Sequence, residues 1–165
     1  MPPSRRLADL EETLDSLYET LGEAKKRLAY ANDIFEKNGI KQRIRREVLP
    51  EINQAEAEYW QFLAQEVDAF AITETDANLA IDEVIQEAEL IETSGAQNYP
   101  DQVMQLLVEI RNKLNEPGKP AAAKLKAALP LLPPFISYEI ELDTESSLRK
   151  VYEPIRRIFR GAPKK

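Results

Sequence analysis

The sequence predicts an all-α protein, and three observations carry that prediction. Apolar residues recur at steps of three and four along most of the 165 residues. Hydrophobic residues make up 43% and charged residues 31%, enough apolar material for a core and too much for a disordered chain. Glycine is scarce, at 5, and the Pro, Gly and Asn breakers fall in a few clusters that punctuate the periodic stretches.

The first element starts at Leu7. Its seam runs Leu7, Leu10, Leu14, Leu17, Leu21, Ala24, Leu28, Ala31 and Phe35, an a/d heptad pattern. Asn38-Gly39 reads as its turn. A second helix is expected from near Ile40, with a stripe of Ile44, Val48, Ile52, Ala55, Tyr59, Phe62, Leu63 and Val67 that Pro50 should kink or split. Two long stripes joined by a short turn predict an antiparallel hairpin.

Residues 71–75 break the pattern. A third helix follows on Ala77, Ile81, Val84, Ile85, Ala88 and Ile91, closed by Thr93-Ser94-Gly95. Asn98 then reads as an N-cap with Pro100 near the first turn, and a fourth helix carries Val103, Leu106, Leu107, Ile110 and Leu114. Packing these two short amphipathic helices on the hairpin gives a four-helix body over residues 1–116.

Residues 115–120 (Asn-Glu-Pro-Gly-Lys-Pro) form a breaker segment, so 117–165 is expected as a separate C-terminal stretch. Ala121–Leu129 favours helix. Pro130, Pro133 and Pro134 are expected to forbid a regular helix beyond it. Ile136, Tyr138, Ile140 and Leu142 alternate with polar residues, which predicts one strand in need of a partner. Asp143 or Thr144 then caps a last amphipathic helix. Its apolar face is Leu148, Val151, Tyr152, Ile155, Ile158 and Phe159, and its polar face is basic; Pro154 should bend or break it.

The charge is uneven. Residues 1–116 carry 24 carboxylates and 12 basic residues, whereas 117–165 carry 5 and 10. No basic residue lies between Arg46 and Arg111. Such a pattern fits a solvated acidic face, a tail docked on its own body, or a tail that meets another anionic surface.

Cysteine and histidine are both absent. Disulfides, thiolate zinc sites, Cys nucleophiles, Ser-His triads and imidazole ligands are excluded with them. Carboxylate pairs such as Glu83/Glu87 and Glu56/Glu58 are ordinary on acidic helices. No GxGxxG, P-loop or DxDxDG pattern is present. The expectation is no enzyme, no catalytic residue, no cofactor and no metal. No apolar run reaches the roughly 20 residues of a membrane span. With no signal-peptide stretch after Met1, the expected location is cytoplasmic, with peripheral membrane association as an option. Phosphate contacts dominate nucleic-acid affinity, so the acidic body argues against nucleic acid.

Candidate contact residues follow from these patterns. Tyr59 and Trp60 are either core or an exposed partner anchor, Trp60 lying one step off the stripe. Ile136, Tyr138 and Ile140 are the face of the expected strand. Arg149, Arg156, Arg157 and Arg160 line the basic helix, which could dock on the acidic body, a protein groove or an anionic membrane.

Residues 114–120, 121–132 and 137–145, together with 14–22, 41–46, Val48-Leu49-Pro50 and 56–63, resemble a helical module of cyanobacterial signalling and conflict-system proteins. Such effector-associated adaptor modules accompany NTPase, caspase-like protease or repeat domains. The resemblance implies a non-catalytic adaptor that binds a protein partner, an NTPase or protease of a signalling or defence system, or another copy of itself. The alternative reading is a membrane-acting effector whose C-terminal apolar and basic segment engages lipid.

Overall fold

A computed structural model describes residues 3–95, 99–142 and 148–160. Among these residues the fold is all-α, with eight α-helices and no β-strand. They are α1 (Pro3–Tyr30), α2 (Ile34–Arg43), α3 (Leu49–Glu66), α4 (Glu74–Ser94), α5 (Asp101–Leu114), α6 (Ala121–Ala128), α7 (Leu132–Leu142) and α8 (Arg149–Arg160).

The 28 residues of α1 make an arm about 40 Å long. The turn that follows lies at 31–33, not at Asn38-Gly39 as the breaker pair predicts. Asp33 decides this. Its backbone is extended and its carboxylate accepts the Phe35 N–H at 3.2 Å, so α2 starts immediately after it. Gly39 therefore sits inside a helix, with no heavy atom within 4 Å of where a Cβ would stand.

Pro50 neither splits nor terminates the second arm. A π-helical turn over Ile44–Val48 joins α2 to α3, and Pro50 falls in the first turn of α3. There a missing N–H removes little, and the wider turn takes up the mismatch in the hydrogen-bond ladder.

Thr73 caps α4 by accepting the Asp76 N–H at 3.0 Å, and the Gly95 N–H closes its end on the Ile91 carbonyl at 2.9 Å. The expected caps at Asn98 and at Asp143 or Thr144 lie outside the described residues. Arg111 on α5 donates to both carboxylate oxygens of Glu92 on α4, at 2.7 and 3.1 Å. Gly118 adopts φ of 80°, the left-handed conformation that turns the chain into α6. The Ala121 N–H then donates to Glu74 Oε1 at 2.8 Å, so a first-turn residue of α4 caps α6.

The expected strand is helix α7. Pro133 and Pro134 lie in its first turn, where proline is tolerated. The alternating residues overlap a second pattern at helical spacing: Leu132, Phe135, Ile136, Glu139 and Ile140, all buried. No other strand exists among the described residues to pair with this segment, so the helical pattern prevails. Helix α8 also runs through Pro154, whose missing N–H frees only the carbonyl of Lys150 in the first turn.

One apolar core draws on both sides of the 116/117 break. Leu7, Leu10 and Leu14 of α1, Tyr59, Trp60 and Leu63 of α3, Val84 of α4, Leu107 of α5, Leu125 of α6, Phe135 of α7 and Phe159 of α8 all belong to it. Helix α8 lies mainly along α4, and α7 along α3. Residues 121–142 and 148–160 thus complete the body that a four-helix packing leaves open.

Candidate functional site

Two places combine charge with aromatic side chains. The first is buried between α1, α3 and α8. Glu56 stands on the apolar stripe of α3 and is 1% exposed. Its carboxylate accepts from the Tyr18 hydroxyl at 2.8 Å, from Trp60 Nε1 at 2.9 Å and from the Arg156 guanidinium. The Arg156 Cζ lies 5.1, 5.4 and 5.5 Å from the ring centroids of Tyr59, Trp60 and Tyr152. Three aromatic rings thus surround a cation whose counter-ion is held on α3. Burial works against the charge of Arg156, but Glu56 outweighs it and holds the guanidinium protonated more firmly than usual. Next to this pair, Tyr152 donates to Glu139 at 3.2 Å. Burial raises the Glu139 carboxyl above its ordinary range, with Arg149 and the Tyr152 hydroxyl pulling the other way.

This arrangement ties α8 to α3 through a buried ion pair. Glu56 accepts from three donors, which engage three of the roughly four acceptor positions of its carboxylate. Among the described residues no group of three or more acidic side chains is placed to hold a metal ion. Above the pair opens a cleft of about 210 Å³ lined by Tyr18, Arg149, Arg156, Arg157 and Arg160 with Asp15 and Glu153. The arginines there have internal partners. Arg160 approaches Asp15 at 3.5 Å, Arg157 approaches Glu83 at 3.6 Å, and Arg149 stacks over the Tyr18 ring at 4.8 Å.

The residues singled out from the sequence distribute as follows. Tyr59 and Trp60 are fully buried, which removes the exposed-anchor reading: their rings enclose Arg156 and meet edge to face at 5.0 Å. Ile136 and Ile140 are buried on α7, Tyr138 is half-buried, and none of the three is on an open strand. Arg156 is buried as the partner of Glu56, whereas Arg149, Arg157 and Arg160 are exposed. The structure therefore brings Tyr59, Trp60 and Arg156 together and leaves the α7 residues in the core. The apolar face of α8 is packed inside, so in this fold it offers no surface to a partner or to lipid.

The second place is the far end of the α1–α2 hairpin. No residue of α2 is buried. Tyr30, Ile34 and Phe35 are 82%, 65% and 81% exposed, the three most exposed large apolar side chains among the described residues. Residues 25–46 carry eight Lys/Arg and two Asp/Glu, a surplus of six positive charges on a chain of net charge −7, so the remainder carries a deficit of thirteen. A concavity of about 710 Å³ runs between α1 and α2, lined by small and charged residues such as Ala24, Gly39, Glu19, Glu23, Arg27 and Arg43.

Sequence reasoning missed both Glu56 and this apex. Glu56 had a signal, a lone carboxylate on an apolar stripe four residues before a tryptophan. The apex had one too, because Phe35 continues the seam past the point where a partner helix could cover it. No helix of the described residues is long and apolar enough to cross a membrane. Comparison with family models, curated proteins and solved structures gives no match.

Proposed function

We propose that this chain is a non-catalytic helical adaptor that holds out the α1–α2 hairpin to a partner. One observation carries the reading: a body with a single apolar core carries a hairpin whose apex exposes Tyr30, Ile34 and Phe35 to solvent. Adjacent exposed apolar side chains on a projecting element mark a contact surface. The absence of His and Cys and the three internal donors that hold Glu56 support a role without catalysis. The resemblance to effector-associated modules supports a place in a cytoplasmic signalling or defence system. The docking surface we assign is the hairpin, not the C-terminal helix.

The test is proximity labelling in the source cells, with the labelling enzyme fused to full-length protein. Wild type is compared with Tyr30→Ser/Ile34→Ser/Phe35→Ser. The expected result is a defined set of labelled neighbours that the triple variant loses while its helicity is unchanged. An identical set for both proteins overturns the hairpin reading.

A further inference from the structure

We propose that the hairpin end docks on an anionic lipid bilayer surface. The proposal rests on the reading above, that this end is the docking surface, and names what it meets.

The apex has the chemistry of an interfacial anchor. Tyr30 and Phe35 are aromatic, Ile34 lies beside them, and all three stand out from a tight turn. Aromatic rings favour the headgroup level of a membrane, and a soft interface accepts a convex apolar tip without a matching pocket. The groove beside the apex mixes acidic and basic side chains, Glu19, Glu23 and Glu36 with Arg27 and Arg43, around Ala24, Ile40 and Val48.

The flanks supply the electrostatics. Lys26 and Arg27 on α1, Lys37 and Lys41 on α2, and Arg45 and Arg46 on the π turn are all exposed. None of these six has an ion-pair partner among the described residues. Of the two acids, Asp33 is tied to the Phe35 N–H as a cap and Glu36 remains exposed. Basic side chains close to an anionic leaflet each strengthen attachment several-fold.

The whole-chain charge sets the orientation. Residues 25–46 have a surplus of six positive charges, which falls to three when the groove-lining Glu19 and Glu23 and the Arg43 partner Glu47 are counted with them, and the rest then carries a deficit of ten. An anionic surface therefore attracts the apex and repels the body, so the molecule approaches tip first. The same polarity disfavours pairing of two hairpin ends, which repel each other. No helix of the described residues is long and apolar enough to cross a membrane, and the contact proposed is peripheral.

The test uses the full chain with phosphatidylcholine vesicles and with vesicles containing about a third phosphatidylserine. Co-sedimentation is expected with the second and not the first, weakening at least tenfold from about 0.05 to about 0.5 M NaCl. Lys37→Gln/Lys41→Gln should weaken binding about 20- to 30-fold, at roughly fivefold per lost charge. The chain has no cysteine, so Tyr30→Cys can carry a single environment-sensitive dye. Its emission should shift to the blue on the anionic vesicles, while a dye at Asn112→Cys should not respond. Equal binding to both vesicle types, no binding at low salt, or undiminished binding of the Tyr30/Ile34/Phe35 serine variant each overturns the proposal. If vesicles are ignored but that variant still loses its labelled neighbours, the hairpin reading stands and an acidic protein replaces the lipid. If neither assay responds, both readings fall.

Discussion

The two ends of the molecule place the same chemistry, aromatic rings and basic side chains, in opposite environments. At the body end Tyr59, Trp60 and Tyr152 close around Arg156, and Glu56 neutralises it. At the hairpin end Tyr30 and Phe35 stand in solvent near Lys26, Arg27, Lys37 and Lys41, which have no ion-pair partner among the described residues. The difference teaches that composition does not separate a structural anchor from a docking surface. Whether a second element arrives to cover the group does. Helix α8, packed along α4, brings the cation to Glu56 on α3, whereas no residue of α2 is buried by another element among the described residues.

Substitutions should sharpen this contrast, beginning at the body end. Arg156→Met leaves Glu56 buried without its cation and should cost about 3–5 kcal/mol. Urea unfolding measures it, and adding Glu56→Gln to the same chain should recover a large part. A loss below about 1 kcal/mol would mean that the pair does not anchor α8.

A second effect at the body end depends on pH. Burial raises the carboxyls of Glu139 and Glu11 above their ordinary value of 4.5. A group with a raised folded pKa contributes stability that is complete below its unfolded value and is lost as pH rises through the folded one. Glu139→Gln keeps an acceptor for Tyr152 and removes the ionisation. The variant should gain stability relative to wild type between about pH 4 and pH 7, by less than about 2 kcal/mol. A difference that stays constant with pH, or reverses, would show that Glu139 is held ionised.

Changes in the hairpin should be smaller. Gly39 lies inside exposed α2 with open space where a Cβ would go, so Gly39→Ala should stabilise by about 0.5–1 kcal/mol. Destabilisation there would indicate a turn at Asn38-Gly39 instead of at 31–33. Smallest of all, the triple serine change at Tyr30, Ile34 and Phe35 should alter stability by less than about 1 kcal/mol while removing docking. A large loss of stability would place those side chains in a core.

Much of the fold was legible in the sequence. The all-α class, the helices on the stripes of residues 7–28, 77–91 and 103–114, and the break after Phe70 follow from spacing and caps, which are local properties. The errors share one cause. At Asn38-Gly39 a weak turn pair gave way to an aspartate cap five residues earlier. At residues 132–142 two periodicities coexist, and only the lack of a strand partner selects the helical one. Of the candidate site, spacing leaves Tyr59 and Trp60 open between core and contact anchor, and Arg156 open between the acidic body and a partner surface. Neither a stripe nor a charge count reveals that residues 100 apart form an ion pair.

The sequence by itself determined the helical class, the exclusion of cysteine and histidine chemistry, and the presence of basic and aromatic groups in two regions. These depend on residue type and on spacing within one helix. Only the tertiary structure decided which of those groups is covered. Burial depends on which helix lies against which, and that is settled by packing across the whole chain. The same packing buried Arg156 of α8 against Glu56 and left Tyr30, Ile34 and Phe35 at the hairpin apex exposed.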